Sequence, residues 1–508
     1  MKPSYYRKEW TALIEHGLKI EGVSQLARQV AFSFMDHYFQ SGRYEEEYID
    51  LLCEMATFSD MLEVNRSGSA ALFGIIVEGL CDDFEEMQTY TYNRVMSQVI
   101  SFCRRLPAGK DLDGRLNTFG VRSTKDFLER MDKIRADDKL LPSPKNIRKI
   151  LLLSRVTIGA DVAITSVVVQ RLSSMFPCAE IVILGSRKLE EIYGGNPRIR
   201  IREVSYGRCG GLIERLSRWH DVLENIDREI GSCPLEECIL IDPDSRLSQL
   251  GILPLIPLQY YFFFDSRSAG SFNNMMSVSE LTNRWLDSIM VTTQSCYPAV
   301  WPSQHYLDKT ERFCTGLRNK GASAIIIINF GVGGYHRKRV EGDFEKDLLL
   351  ELIKEPGTVI ILDRGFGEEE SDQTKALMDS MTGHGHIVIH ASFDTLEDVQ
   401  ISSGIIGIHC SIGEIAALIA NGDEFIGYDS ACQHIAAALG VKTLTIFAGS
   451  NNMRFVRRWS ACGKNKPTIV HVDTLSTHSY GNSTDLVRRV MDARINCNRI
   501  APPTICSS

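Results

Sequence analysis

Residues 149–186 read KILLLSRVTIGADVAITSVVVQRLSSMFPCAEIVILGS, and the order of textures within them decides the fold. A short apolar run, KILLLSR at 149–155, leads through a turn at Gly159 into DVAITSVVVQRLSSMF, which is long enough for a helix despite its β-branched residues. A second apolar run, AEIVILGS at 179–186, closes the unit. Strand, helix and strand in that order imply a right-handed crossover and a parallel sheet. ECILIDPDS at 237–245 and YYFFFDS at 260–266 supply further strands.

A second series starts near residue 322: ASAIIIINFG, GTVIILDRG, HIVIHAS, IIGIHCS, EFIGYDS, TLTIFAG and TIVHVD, with helical segments such as DFEKDLLLELIK, SDQTKALMDSM and IGEIAALIANG between several of them. These runs are apolar almost throughout, as strands covered on both faces are. The expectation is an α/β protein with two doubly wound parallel-sheet domains in tandem, at 147–315 and 320–475. A C-terminal helix and tail occupy 476–508. Residues 1–140 differ: YEEEYIDLLCEMATFSDML and YNRVMSQVISFCRRL space their apolar residues three and four apart, so an all-α domain stands in front. The Pro-punctuated LPSPKN at 141–146 separates it from the sheets.

Length agrees, since 508 residues exceed one ordinary core. A net charge of -8, with Lys and Arg scattered along the chain, makes nucleic acid a poor partner. No run of about 18 apolar residues predicts a membrane span, and the charged first residues do not read as a secretion signal. Fourteen cysteines without a CxxC pair suit reduced thiols in a cytoplasmic protein.

In open parallel sheets, ligands sit where the carboxyl ends of the strands meet their loops. After the first strand, Asp161 follows Gly159 at or near a helix start. It is a plain N-cap on one reading. On the other it is a carboxylate facing a cleft, kept ionised by the helix dipole, with low basicity that suits late proton removal from an attacking hydroxyl. In GYDSACQHIAAALG at 427–440, Asp429, Ser430, Gln433 and His434 crowd a helix start. Either Asp429 or Ser430 caps that helix and His434 faces solvent, or the free N–H groups form a phosphate seat. NFGVGGYHRKR adds Gly331, Gly333 and Gly334, which let backbone approach an anion, and Lys338 as a point charge. LDRGFGEEE offers Glu368, Glu369 and Glu370, one of which could take ribose hydroxyls. Asp242 and Asp244 of DPDSR read as structural or acceptor-facing. His386 and His390 would lie about 13 Å apart on a regular strand, too far for one metal ion.

Together these loops resemble the family 9 glycosyltransferases, heptosyltransferase-like enzymes of the GT-B fold, in which two Rossmann-like domains face a cleft. RVTIGADVAITSVVVQRLSSMFPCAEIVILGS looks like their amino-terminal signature, and GYDSACQHIAAALGVKTLTIFAGS like their carboxy-terminal one. The resemblance covers roughly 147–495. It implies Asp161 as catalytic carboxylate, Lys338 as diphosphate-binding lysine, Glu368 as ribose contact, and Asp429, Ser430 and His434 as the donor-binding cluster; Ala431 within that cluster, and Gly333 and Gly334 of the glycine loop, complete the expected donor site. It implies an inverting enzyme, typically using ADP-heptose, with no metal and no cofactor beyond the nucleotide-diphospho-sugar. Three features depart from the family pattern. Ala160 separates a Gly and an Asp that are usually adjacent, Ala431 replaces a glycine, and FAGSNNMRFVRRW brings Arg454, Arg457 and Arg458.

The acceptor, whether glycan, lipid-linked sugar or protein, stays open, as does the role of the front domain in acceptor binding, peripheral attachment at the inner membrane of a bacterial cell, or homo-oligomer formation. A catalytically degenerate relative that binds a nucleotide-sugar or acts as a scaffold is the competing reading, and nucleotide-sugar epimerisation a third.

Overall fold

Helix Ile20–Ser41 sets the pattern of the front region: Val23, Leu26, Ala27, Val30, Phe34 and Tyr38 recur on one face and are buried. It stops at Gly42, whose φ of 64° is a left-handed cap that a side chain would strain. The computed structural model describes residues 1–474 and 483–497, apart from 59–60, 82–83, 137–138, 205, 208–209, 232 and 268–274. Residues 476–482 and the expected tail after 497 lie outside the described residues. Within them, everything from Pro3 to Arg135 forms helices and turns.

Twelve strands among the described residues build two sheets. β1 Lys149–Leu153, β2 Glu180–Gly185, β3 Ile199–Glu203, β4 Cys238–Asp242 and β5 Tyr261–Phe263 form the first, in the order β3-β2-β1-β4-β5. β6 Ala324–Asn329, β7 Thr358–Asp363, β8 Val388–Ser392, β9 Gly404–His409, β10 Glu424–Tyr428, β11 Lys442–Phe447 and β12 Thr468–His471 form the second, in the order β12-β11-β10-β6-β7-β9-β8. Neighbouring strands pair in parallel in both sheets, so the expected doubly wound α/β architecture is present. β3 is the strand that hydropathy missed. Ile199 and Ile201 alternate with Arg200 and Arg202, and both arginines reach Glu229 of helix Leu212–Ile230, at 2.9 and 2.7 Å. Charge suits an edge position.

Side-chain alternation divides the first sheet into two faces. Leu151, Leu153, Val182, Leu184 and Leu240 pack into one core with helix Leu212–Ile230 and the front helices, including Leu52, Val99 and Phe127. The front region therefore covers a face of this sheet as part of its core. Trp219, 2% exposed and donating to the Pro254 carbonyl at 3.1 Å, is central to that contact; truncation to Ala would cost about 3–5 kcal/mol.

The opposite face, with Ile150, Leu152, Ile181, Ile183 and Ile241, is continuous with Ile325, Ile327, Val359 and Ile361 of the second sheet. Helix Gln304–Asn319, which the expected boundary at 315–320 cuts near its end, belongs with the second sheet through Phe313, Cys314 and Leu317. Helix Ser483–Cys497 closes the far face of that sheet through Leu486, Val487 and Val490, and Arg494 pairs with the buried Glu424 at 2.8 Å.

Strand order reverses between β1 and β4 in the first sheet and between β6 and β10 in the second. At such points adjacent loops diverge and open a crevice. Among the described residues, no helix is long and apolar enough to cross a membrane.

Candidate functional site

β6 and β10 lie side by side at the switch point of the second sheet, and their loops supply the polar residues. Lys338 ends a turn after β6, and its Nζ donates to Asp429 Oδ2 at 2.6 Å. Gln433 Nε2 donates to the other oxygen at 2.6 Å. Asp429 is buried, and the ammonium stands 5.7 Å from the Phe455 ring centre. Low-dielectric walls of this kind strengthen whatever charge the pair leaves unbalanced.

Helix Ala431–Ala438 begins two residues after Asp429, with Ser430 between. Ser430 is its cap residue by backbone position, yet its side chain makes no capping bond. Ser430 Oγ and Gln433 Oε1 are buried without hydrogen-bond partners. Asp429 is occupied by Lys338 and Gln433. Neither residue offered as a plain side-chain cap makes that bond, so the first-turn N–H groups keep their positive end. His434 does not face solvent: it is 4% exposed, its ring meets Trp459 edge-on at 6.3 Å, and burial pulls it down to about 4. It is neutral at pH 7 and adds no positive charge to the seat.

The glycine loop behaves differently from the expectation. Gly333 and Gly334 have φ of 63° and 82° and are exposed. However, the amides of Val332 and Gly333 donate to Glu370 Oε1 at 2.8 and 2.9 Å, and that of Phe366 to Oε2 at 2.8 Å. The chain's own carboxylate occupies the amide cradle, tying the loops after β6 and β7 together. A Cβ at Gly331 would lie 2.8 Å from Glu370 Oε2, which accounts for that glycine. Glu368 is exposed at the start of helix Glu368–Gly383, and its carboxylate forms no hydrogen bond or ion pair within the described residues.

Across the crevice, Asp161 is not the helix cap. Thr157 holds that position, Ile158–Ala160 is already helical, and Asp161–Thr165 forms a π-turn before helix Ser166–Met175. The wider turn tucks the carboxylate back beneath the end of β1. Its Oδ1 accepts from the Arg155 amide at 2.7 Å and Thr165 Oγ1 at 2.8 Å, and its Oδ2 from Ser154 Oγ at 2.7 Å. At 1% exposure, burial outweighs these bonds and pushes Asp161 up to about 6, which makes it a better base than a capping Asp. Val156 beside it has φ 74°, a strained value for a β-branched residue. π-turns and such strain both concentrate at functional sites.

Asp242 and Asp244 are structural. Asp242 accepts from the Ser245 amide and the Ser248 and Tyr261 hydroxyls, at 2.7, 2.5 and 2.5 Å. Asp244 is held by Arg267 at 2.9 Å and Ser266 at 2.8 Å. Both are fully buried, and these partners from β5 and the loops after β4 and β5 engage their carboxylates.

The two halves meet at Gly159. A Cβ there would come within 3.2 Å of His434 Cδ2 and 3.3 Å of Ala431 Cα, so the helix carrying Asp161 abuts the start of Ala431–Ala438. A cavity of about 290 Å³ opens at the ends of β1–β3 in the first domain, lined by Val156, Ser186, Lys188, Glu203 and Tyr206. Sequence reasoning noted Gln433 without a role and missed Ser154, Thr165 and Trp459. Hydroxyls beside a strand end carry no spacing signal, and Trp459 reaches the site only through the tertiary fold. Among the described residues, no three His, Cys, Asp or Glu side chains group closely enough to hold a metal ion.

Residues 405–482 match the model for Glycosyltransferase family 9 (heptosyltransferase). The match spans β9 to β12 and so includes Asp429–His434. It bears out the resemblance read from the sequence, and with it the reading of the chain as a glycosyltransferase. Among solved structures, the glycosyl transferase family 9 protein from Veillonella parvula aligns at 15% identity and TM-score 0.49, covering 69% of this chain and 97% of that one. The E. coli ADP-heptose lps heptosyltransferase II aligns at 15% identity and TM-score 0.45, covering 69% and 98%. E. coli heptosyltransferase WaaC with ADP aligns at 11% and 0.47, covering 68% and 99%. No curated protein matches.

Proposed function

We propose that this chain is an inverting, metal-independent glycosyltransferase that moves a sugar from a nucleotide-diphospho-sugar, ADP-heptose-like by preference, to an acceptor hydroxyl. The observation that carries the reading is the uncapped start of helix Ala431–Ala438 beside Lys338, with Ser430 Oγ buried and unpartnered. A diphosphate supplies the acceptors those donors lack. The names of the family and of the heptosyltransferases it resembles suggest the sugar and nucleotide.

In the reaction, the acceptor oxygen attacks the anomeric carbon from the face opposite the leaving group. A bond forms to that oxygen as the bond to the diphosphate breaks, and the hydroxyl proton passes to Asp161. Charge developing on the nucleoside diphosphate is met by Lys338, the first-turn amides and the Ser430 hydroxyl. These fixed donors fill the role a divalent ion would otherwise take, and no cofactor beyond the donor is invoked. Asp161 reaches the proton when the Ser154 or Thr165 hydroxyl releases one of its oxygens. The cavity beside Val156 is the acceptor's place in this reading. A cytoplasmic setting fits the free thiols among the described residues.

Incubation of the full-length protein with a panel of nucleotide-sugars and acceptors tests the proposal. Nucleotide release that Asp161→Asn abolishes and a chelator leaves intact is the expected result. One observation favours a second reading: every oxygen of Asp161 is occupied and the residue is 1% exposed. Nucleotide-sugar binding without turnover, unchanged in Asp161→Asn, would establish the degenerate, binding-only relative instead.

A further inference from the structure

One small apolar cluster draws on all three parts of the chain. Phe84 comes from the connection leading into front helix Glu86–Cys103, Ala163 and Ile164 from the π-turn that holds Asp161, Phe264, Val278 and Leu281 from the first α/β domain, and Phe455 and Trp459 from the second. Phe84 is 4% exposed and has φ 56°, a costly conformation for an aromatic residue. The carbonyl of Phe84 and the carboxylate of Glu85 both accept from Arg454, at 2.9 and 2.7 Å. The buried Arg458 guanidinium lies 5.8 Å from the Phe84 ring centre, and its NH1 donates to the Met276 carbonyl at 3.2 Å. Trp459 lies 6.2 Å from Phe84 and 6.3 Å from His434, and its carbonyl accepts from Gln433 at 3.4 Å.

Contact therefore runs from the front helices, through helix Met453–Arg458 and Trp459, to the residues around Asp429. We propose that Phe84 and Glu85 are positioning residues. The front domain holds the 453–459 segment against both α/β domains, and through Trp459 it fixes Gln433 and His434 at the donor seat. The domain's role is then to keep the two halves of the crevice in register. This rests on the donor reading above, but its mechanical half does not need a ligand.

The experiment uses the full chain and three variants: Phe84→Ala, Glu85→Ala and the reversed pair Glu85→Arg with Arg454→Glu. Amide exchange over 453–459 reads the hold, and ADP titration reads the seat. The expected result is exchange about tenfold faster at 453–459 in Phe84→Ala, with ADP affinity about tenfold weaker and helix Ile20–Ser41 still protected. Glu85→Ala gives smaller changes in the same direction, and the reversed pair restores them. A merely structural contact would not raise donor KM while leaving kcat, and that split is the further expectation. Unchanged exchange at 453–459 overturns the proposal, as does faster exchange with ADP affinity unaltered. If Phe84→Ala loses protection throughout, Glu85→Ala and the reversed pair decide. If the parent binds no ADP, the donor reading fails separately, and the exchange result alone decides whether the front domain holds the segment.

Discussion

Lys338 and Asp429 come from loops 91 residues apart and meet at 2.6 Å across the point where the second sheet reverses its strand order. The pair neutralises itself, so a diphosphate that binds Lys338 must share it with a buried carboxylate. Gln433 holds the other oxygen of that carboxylate and keeps it aimed at the lysine.

Lys338→Ala strips Asp429 of one of its two partners, at a cost of about 1–3 kcal/mol, and removes the point charge from the seat. Adding Asp429→Asn recovers most of that stability, but ADP affinity stays low. Denaturant unfolding and ADP titration of the single and double variants separate the two effects. Parental ADP affinity in Lys338→Ala would remove the lysine from the phosphate seat.

Asp161, raised to about 6 by burial, must be ionised to accept a proton, so the turnover rate rises with pH through about 6 and levels above it. Asp161→Asn lowers kcat about a hundred- to ten-thousand-fold and abolishes this limb. Stability runs the other way. The folded value lies above the 3.8 of a free Asp, so the neutral form's contribution is full below 3.8 and is lost as pH climbs through 6. Asp161→Asn therefore gains stability relative to the parent between pH 4 and 7, measured by unfolding at each pH.

His434 is lowered from 6.5 to about 4 by burial, so its neutral form stabilises the fold fully above 6.5. That contribution disappears as pH falls from 6.5 toward 4. His434→Gln, which does not titrate, should lose its disadvantage relative to the parent over that interval. A stability difference between the two that does not vary with pH would mean that His434 is solvated.

Gly159 sits where a Cβ already meets His434 at 3.2 Å and Ala431 at 3.3 Å. Gly159→Val must push the two helix starts apart. Donor KM should rise about tenfold while denaturant midpoints change little, because the contact joins domains and lies outside the sheet cores. An unchanged KM would show that the halves need not abut for the donor to bind.

The sheets could be read before folding because strands buried on both faces must be apolar along their length, as ILLL at 150–153 and AIIII at 324–328 are. β3 could not, since Arg200 and Arg202 interrupt it and are accommodated at the sheet edge, where Glu229 of helix Leu212–Ile230 answers both and Glu180 also meets Arg200. The resemblance marked Asp429, Ser430 and His434, but the neutral state of His434, the partners of Asp429 and the absence of a cap depend on atoms brought from elsewhere. Glu370 shows the limit. A run of three glutamates gives no sign of which one folds back onto the amides of Val332 and Gly333, and only the packing of two loops selects it.

By itself, then, the sequence determined what local pattern controls: parallel strands from runs of Ile, Leu and Val, helices from three-and-four spacing, and chemistry-bearing loops at strand ends. Tertiary structure decided what depends on distance. It buried Asp161 in a π-turn rather than at a cap, paired Lys338 with Asp429, left His434 neutral, and carried Phe84 from the front helices to Trp459. Charge state and contact are set by the dielectric and the neighbours around an atom, and those neighbours are gathered by folding from every part of the chain.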